Sequence, residues 1–160
     1  MEITMTGPTL EFEESTYICA GGADISITLN NSPIQHFKVY QVQKGDILSY
    51  GRLKKGFRNY LAVKGGFQTP KVLGSYSYYF PITEQSQLSD RAEIDYRPCE
   101  LYTPKISEWQ VDSFLDESVL NVAKGPEFEL LTDKQLEQLF ALDFTIAKDY
   151  NRMAYQLDES

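Results

Sequence analysis

Short apolar segments that alternate with polar residues recur along the first two thirds of the chain, and most stop at glycine, proline or asparagine. Ile25, Ile27 and Leu29, for example, alternate with polar neighbours at the two-residue period of a half-buried strand. No helical period appears before Tyr102. The pattern predicts a mainly β fold of antiparallel strands, arranged as a closed barrel or a sandwich.

The strand boundaries follow from the same turn signals. We predict strands around Ile3, from Leu10 to Phe12, from Thr16 to Ala20 before the Gly21-Gly22 pair, from Ile25 to Leu29, from Gln35 to Gln43 and from Ile47 to Tyr50. The segment from Gly51 to Gly56 is predicted as a loop. Its cations, Lys54 and Lys55 with the nearby Arg58, are interpreted as part of a solvated loop.

The stretch from Tyr60 to Ser77 combines two apolar runs with three glycines and a proline. Tyr60 to Val63 has the composition of a strand, which the Gly65-Gly66 pair ends. Pro70 predicts a turn, and Gly74 predicts a further break. Two interpretations stay open. The plain one is a strand, a turn and a second strand, and in the other the glycines let a ligand approach the main chain closely.

Composition limits the classes of partner. The chain of 160 residues has a formal net charge of −8 and a pI near 4.7, so it lacks the basic face that nucleic acid or an anionic membrane requires. No apolar run reaches the length of a membrane helix, and the first ten residues do not have the pattern of a signal peptide. We therefore expect a cytoplasmic protein with no nucleic-acid or membrane partner.

Few residues have the chemistry of a catalytic or metal centre. His36 is the only histidine, and Cys19 and Cys99 stand at no zinc-ligand spacing from it, so no metal site is predicted. Neither glycine pair belongs to a GxGxxG motif or a P-loop. We expect no cofactor to be bound by this chain, and we interpret His36 as a surface or hydrogen-bonded strand residue.

The last third of the chain carries the clearest helical signal. Thr132 and Gln135 form a capping-box pattern ahead of an apolar face, which predicts a helix from about Thr132 to Leu142. The other predicted elements are a connector from Tyr102 to Ser118 and strands at Val119–Ala123, Phe144–Ala147 and from Met153 to Leu157.

Four stretches of the sequence resemble one family. Residues 60–77, YLAVKGGFQTPKVLGSYS, resemble its segment YLAVxGGIDVPxVLGSRST, and residues 2–12, EITMTGPTLEF, resemble LEITLxGPxLxF. Residues 151–157, NRMAYQL, resemble an RMGYRL motif, and KGPE at 124–127 resembles a PGPE turn. On these motifs the chain is identified as a member of the allophanate hydrolase subunit 2 family, which is also called the biotin-dependent carboxyltransferase-like or Kip antagonist family and includes the C subunit of 5-oxoprolinase.

The resemblance implies a fold and a division of labour. Members of the family have tandem β-barrels of cyclophilin-like topology with a cleft between them, and they work with a partner subunit. The implied role is ATP-dependent cleavage of 5-oxoproline, together with a Kip-inhibitor-like protein, the B subunit of 5-oxoprolinase, and with a LamB/YcsF-type subunit. The alternatives are carboxyl transfer from a partner's biotin to urea, and a regulatory module that antagonises a kinase inhibitor. ATP or biotin is implied only for the complete assembly.

The resemblance also assigns candidate site residues. Arg152 is the candidate catalytic residue, because a guanidinium can hold a carboxylate, carbamate or phosphate through two hydrogen bonds. The candidate substrate-binding residues are Gly65, Gly66, Gly74, Ser75, Ser77, Asn151, Met153 and Tyr155. Backbone N–H groups of the glycines are expected to help hold an oxyanion. The alternative role for Arg152 is a structural ion pair.

The sequence also departs from the family pattern. Tyr76 and Gln156 replace two family arginines, and Tyr78 and Ala154 replace a threonine and a glycine. The resemblance covers the middle of the family pattern, which predicts a first β-barrel subdomain at residues 1–118, lacking its N-terminal segment, with a connector from about residue 97. Residues 119–160 are then the start of an incomplete second subdomain. With strand edges open near Glu2–Thr6 and Met153–Leu157, such an excised domain is expected to form a homodimer.

Overall fold

The computed structural model describes residues 1–99, 103–111, 115–148, 150 and 154–159. These residues belong to two compact units, Met1–Glu117 and Ser118–Ser160. The first unit holds the main sheet, and the second holds a helix and a small hairpin.

Two long strands form the middle of the main sheet. They are β3 (Thr16–Leu29) and β6 (Ile47–Val63), which pair antiparallel along most of their length. The short strands β1 (Glu2–Thr4) and β2 (Thr9–Glu11) pair with β6, and β4 (Ser32–Pro33) and β5 (Val39–Val42) pair with β3. The predicted antiparallel β architecture is confirmed, and its closure into a barrel stays a prediction.

The core of the first unit follows from the apolar alternation that the sequence shows. Its buried members are Ile3, Phe12, Ile18, Ala20, Ile25, Ile27, Val42, Leu48, Tyr50, Leu61 and Val63. Full burial of one such aliphatic side chain stabilises a fold by about 1.5–3 kcal/mol. Because most of these residues come from β3 and β6, the core and the central ladder form together.

The β3–β6 ladder is not regular. Between Gly22↔Asn59 and Leu29↔Leu48, seven steps along β3 face eleven along β6, so β6 carries four extra residues in bulges. Bulges of this kind bend and twist a strand. Gly22 has a φ of 118° at the first register shift, and Gly56 has a φ of 82° within the bulged part of β6.

The predicted loop from Gly51 to Gly56 is wrong, because this segment lies inside β6. Leu53 and Lys55 pair with residues of β3 across the bulges. The bulges let Gly56 keep a left-handed backbone without ending the strand. Likewise the Gly21-Gly22 pair does not interrupt β3, since both residues are paired with β6.

The predicted strand from Gln35 to Gln43 is shorter than expected, because β5 begins at Val39. Phe37 precedes it with a φ of 59°, a rare backbone conformation for a bulky residue. Its amide donates to the Ala20 carbonyl, and its ring lies against Gly21, where a Cβ atom would come within 2.4 Å of the ring. Gly21 therefore makes room for the Phe37 ring.

The second unit contains the predicted helix. This helix, α1 (Asp133–Ala141), has Thr132 as its N-cap, and Thr132 and Gln135 form the complete capping box. A 3₁₀ turn at Phe128–Leu130 precedes the helix, and the strands β7 (Phe144–Ile146) and β8 (Leu157–Glu159) form a hairpin after it. The helix and the β7 prediction are confirmed.

Two strand predictions in the second unit need correction. Val119–Ala123 forms no strand: these residues pair with no described residue, and Leu120 is 86% exposed. Apolar composition alone does not make a strand where no partner strand is available. The predicted strand from Met153 to Leu157 begins only at Leu157, and Met153 lies outside the described residues.

The Gly22 backbone yields a test of the bulge. A Cβ atom at Gly22 would lie 2.5 Å from the Arg58 carbonyl oxygen, whereas one at Gly45, with a φ of 84°, would meet open space. We expect Gly22→Ala to lower the free energy of unfolding by at least about 2 kcal/mol, and Gly45→Ala by about 1 kcal/mol. Urea unfolding of both variants measures the difference. Equal losses would show that the close approach at Gly22 is unimportant.

Candidate functional site

The first candidate feature is the turn Val63–Gly66, here called the glycine turn, which follows directly from the end of β6. The Gly66 amide donates to the Val63 carbonyl at 3.1 Å, and Gly65 and Gly66 have φ values of 78° and 76°. Two successive left-handed residues favour glycine at both places. The predicted strand end and turn are thus present.

Side-chain and backbone contacts fix the glycine turn. The Gln68 side-chain amide donates to the carbonyls of Gly65 at 3.3 Å and Gly66 at 3.0 Å, and the Gln68 backbone amide donates to Asp95 O. A Cβ atom at Gly65 would lie 3.2 Å from the Arg97 Cβ atom. The chain around residues 95–97 therefore packs directly against the turn.

These contacts bear on the expected oxyanion site. The Gly66 N–H group already donates within the turn, so it cannot serve an incoming anion without breaking that bond. Both glycine carbonyls accept from Gln68. The Gly66 N–H group and both glycine carbonyls are therefore engaged within the turn, and the oxyanion site at the glycines stays a prediction.

The second feature is the turn Val72–Ser75, here called the leucine turn. The backbone groups of Val72 and Ser75 exchange two hydrogen bonds of 2.9 Å. Leu73 and Gly74, with φ values of 48° and 82°, occupy the centre, as in the type I′ turn. The predicted second strand of this stretch is absent, because the chain reverses here after a single bridge.

Leu73 is an unusual residue for the centre of such a turn. A left-handed backbone is unfavourable for leucine, and its side chain is 84% exposed. Tyr76 and Phe80 nearby in sequence are 56% and 66% exposed. All three are large apolar side chains at the surface, and a contiguous apolar patch is typical of surfaces that contact other molecules.

The two candidate serines lie at the end of the leucine turn. The Ser77 amide donates to Ser75 Oγ at 3.1 Å, and the Thr69 hydroxyl donates to the Tyr76 carbonyl at 2.7 Å. Because Ser75 Oγ accepts from Ser77, its own hydroxyl hydrogen can donate elsewhere. Both serines are exposed, as are Gly65, Gly66 and Gly74.

The charge around these turns differs from that of the whole chain. Residues 47–83 contain six lysines and arginines and no acidic residue, although the net charge of the chain is −8. Lys71 lies with its ammonium 5.5 Å from the centre of the Tyr76 ring, a cation–π geometry. A cation therefore lies beside position 76, where the family pattern has an arginine.

The predicted solvated cluster of Lys54, Lys55 and Arg58 is instead part of β6 and is paired with acids. Lys54 Nζ lies 3.7 Å from Asp24 Oδ1, and Arg58 Nε lies 3.5 Å from Glu2 Oε1. Lys55 contacts Asp116. An exposed pair of this kind contributes about 0–1 kcal/mol to the stability of a fold, so these pairs add little to the stability of the sheet.

The candidates near the C-terminus belong to the second unit. Asn151, Arg152 and Met153 lie outside the described residues. Tyr155 is half exposed and stacks on Tyr150, with ring centres 5.4 Å apart and planes at 14°. The structure therefore places Gly65 and Gly66 in one turn, Gly74 and Ser75 in the next, and Tyr155 in the other unit.

A polar network that sequence reasoning missed lies within the main sheet. Asn59 is 1% exposed, and its Nδ2 atom donates to the Ala23 carbonyl at 3.0 Å and contacts His36 Nδ1 at 3.4 Å. His36 Nε2 lies 2.8 Å from the Ile25 carbonyl, which only accepts, so Nε2 carries the hydrogen. His36 is hydrogen-bonded as predicted, but it lies in a turn and not in a strand.

Burial argues against two other groups as nucleophiles. It raises the pKa of the Cys19 thiol and of the Tyr50 phenol, so both stay protonated near neutral pH. Cys19 and Cys99 are both free. In the part of the chain that the structure describes, no three His, Cys, Asp or Glu side chains are grouped to hold a metal ion. No described helix is long and apolar enough to cross a membrane.

The structure shows a mainly antiparallel β fold, and the comparison with known families shows to which family the chain belongs. The family described as "Carboxyltransferase domain, subdomain A and B" matches residues 1–160. The chain therefore belongs to this carboxyltransferase domain family.

Individual relatives share either part or nearly all of the chain. Urea amidolyase of Lachancea kluyveri is 40% identical over 79 residues, which are 49% of this chain and 4% of the relative. The C subunit of 5-oxoprolinase from Escherichia coli is 26% identical over 161 residues, 98% of this chain and 51% of the relative. The chain thus spans at most about half the length of these relatives.

A solved structure agrees with these sequence matches. The crystal structure of K. lactis urea amidolyase is similar to this chain with a TM-score of 0.66 and 26% identity, over 98% of this chain and 11% of the other. The fold described above is therefore shared with part of that enzyme.

The glycine turn yields a test that separates its backbone conformation from its contacts. A Cβ atom at Gly66 would meet no atom within 4 Å, so only the positive φ opposes a side chain there. We expect Gly66→Val to lower the free energy of unfolding by about 1–3 kcal/mol and Gly66→Asn by about half as much, since asparagine tolerates left-handed geometry. Thermal melting of both variants measures this. Unchanged melting of the valine variant would mean that the position is ordinary extended backbone in solution.

Proposed function

We propose that the chain contributes the carboxyltransferase-type part of an enzyme assembly of the 5-oxoprolinase kind, in the role of the C subunit, and that the assembly cleaves 5-oxoproline in an ATP-dependent reaction. The observation that carries the proposal is the family match over residues 1–160. It is joined by the match to the C subunit of E. coli 5-oxoprolinase, which covers 98% of the chain at 26% identity. That relative is a separate subunit by name, which fits a chain that works with partners.

The turns supply the groups for holding the carboxylate of such a substrate. Lys71 offers a cation beside Tyr76, where the family arginine is replaced. Ser75 offers a hydroxyl hydrogen, because its oxygen already accepts from the Ser77 amide. Carboxylates are held well by a cation and neutral donors together. Arg152 stays the proposed second cation, on the resemblance alone.

The complete assembly provides what this chain lacks. We propose that ATP is bound by the assembly and not by this chain, and that the partners are a Kip-inhibitor-like protein, the B subunit of 5-oxoprolinase, and a LamB/YcsF-type subunit. The exposed turns then form one wall of a cleft that the partner closes. A closed cyclophilin-like barrel and a cytoplasmic location belong to the same proposal.

Two further functions have their own support. Carboxyl transfer to urea from a partner's biotin is supported by the 40% identity with urea amidolyase of L. kluyveri over 79 residues. A regulatory, Kip-antagonist-like binding module is supported by the exposed Leu73, Tyr76 and Phe80 and by the loss of two family arginines. The regulatory module needs no intact anion site, whereas the enzymatic functions do. Substitution of Lys71 therefore distinguishes the regulatory module from the enzymatic functions.

An assay of the purified components tests the proposal. We expect the 160-residue chain alone to show no 5-oxoproline turnover, because one cleft wall cannot exclude water or place all donors. Mixed with the Kip-inhibitor-like and LamB/YcsF-type partners, it should restore ATP-dependent glutamate release. Lys71→Met should then reduce kcat/KM about 10-fold or more, and Lys71→Arg much less, if the cation contacts the substrate.

Each result has a different meaning. Turnover by the isolated chain would contradict the division of labour. Binding to the partner without turnover, unaffected by Lys71→Met, would favour the regulatory module. Activity with urea and a biotinylated partner, but not with 5-oxoproline, would favour carboxyl transfer.

A further inference from the structure

An arginine that the sequence did not single out lies directly on the glycine turn. A Cβ atom at Gly65 would lie 3.2 Å from the Cβ atom of Arg97, 3.7 Å from its Cδ atom and 3.8 Å from its Cγ atom. The aliphatic part of Arg97 therefore runs along Gly65, in the space that a side chain at Gly65 would fill.

The backbone on both sides of Arg97 is fixed to the segment that leads into β3. The Tyr96 hydroxyl accepts from the Glu14 amide at 3.0 Å and donates to the Glu14 carbonyl at 2.6 Å. The Cys99 amide donates to the Ser15 carbonyl at 3.3 Å. Arg97 thus extends from a part of the chain that the main sheet holds in place.

The same anchoring directs the Arg97 side chain outward. Tyr96 forms an antiparallel bridge with Phe67, and both of these aromatic residues pack against the core. Successive side chains of an extended segment point to opposite faces, so Arg97 points away from the core. Arg97 is accordingly exposed, and its guanidinium is accessible at the glycine turn.

The charge of Arg97 is not neutralised within the part of the chain that the structure describes. No described carboxylate forms an ion pair with it, including that of Asp95 two residues before. Lys54, Lys55 and Arg58 of β6, in contrast, are each paired with an acid. A guanidinium is always charged, and its planar N–H groups match the two oxygens of a carboxylate.

We propose that Arg97 binds the carboxylate of the substrate at the glycine turn through two parallel hydrogen bonds. The identity of that substrate, 5-oxoproline, rests on the proposed function. Because the aliphatic part of Arg97 already lies against Gly65, it loses little conformational freedom when the guanidinium binds an anion. Arg97 then has the role that was expected of the glycine N–H groups, of which that of Gly66 is engaged within the turn.

Two neighbouring glycines provide a matched pair of variants. Gly65 and Gly66 have φ values of 78° and 76°, so an alanine is similarly strained at either place. Only the alanine at Gly65 would contact Arg97, since a Cβ atom at Gly66 meets open space. Arg97→Met keeps an unbranched aliphatic side chain on Gly65 and removes the charge. Arg52→Met, at an exposed arginine of β6, is the control for loss of one positive charge.

Binding is measured on the full chain by NMR titration with 5-oxoproline, and the Arg97 Nε–H signal is assigned by its absence in Arg97→Met. We expect a saturable shift of this signal. Arg97→Met should raise the Kd about 10-fold or more, Arg97→Lys less, and Arg52→Met less than about 2-fold. Gly65→Ala should raise the Kd at least about 3-fold more than Gly66→Ala does, because it displaces Arg97.

Several results would overturn the proposal. These are a titration in which the Arg97 signal does not shift, equal Kd values for Arg97→Met and wild type, and a shift caused by inorganic phosphate but not by 5-oxoproline. Equal effects of the two alanine variants would contradict the placement of Arg97 by Gly65.

The reconstituted assembly separates this inference from the proposed function. Arg97→Met should raise the KM for 5-oxoproline about 10-fold or more, while Arg52→Met leaves it unchanged. Wild-type turnover by the Arg97→Met assembly would overturn the role of Arg97 and leave the proposed function standing. Binding of 5-oxoproline at Arg97 without turnover by the assembly would support the role of Arg97 and contradict the proposed function.

Discussion

The pairing of β3 with β6 is the interaction on which the rest of the first unit depends. These two strands supply most of the buried core, and each of the four shorter strands pairs with one of them. The ladder accommodates four extra residues of β6 in bulges, and Gly22 at the first bulge has a positive φ that favours glycine. Without the ladder, the four short strands lose the strands with which they pair, and the core loses most of its buried side chains.

The ladder also places the candidate site. Val63 pairs with Ile18 at the last rung, and the next amide, of Lys64, donates to the Tyr17 carbonyl at 2.9 Å. The glycine turn therefore starts from a fixed point on the most buried part of the sheet. Exposed binding residues carried by a rigid scaffold are a common arrangement, because loops vary while the scaffold holds them in place. The leucine turn, Lys71 and Ser75 extend that arrangement into solvent.

The sequence was sufficient for the mainly antiparallel β class and for elements with strong local signals. The capping box predicted α1 because each of Thr132 and Gln135 accepts, through its side chain, a hydrogen bond from the backbone N–H of the other. This exchange is local and does not depend on what the helix packs against. The Gly51–Gly56 prediction failed because glycine and lysine signal a loop locally, whereas long-range pairing with β3 kept the segment in a strand. The paired glycines pointed correctly to a special backbone, but only the structure shows that the Gly66 amide is already used. Asn59 gave no sequence signal, since its role arises from the Ala23 carbonyl, 36 residues away, and from the His36 ring.

The central claim is that β3 and β6 form one cooperative ladder across the bulges, and native-state hydrogen exchange measures this directly. Ladder amides on both sides of the bulges, near Leu48 to Tyr50 and near Asn59 to Val63, should exchange with the same free energy, equal to that of global unfolding. Amides of the leucine turn should exchange far faster. Separate free energies for the two ends of β6, with one opening well below global unfolding, would contradict the account and show that the bulges divide the sheet.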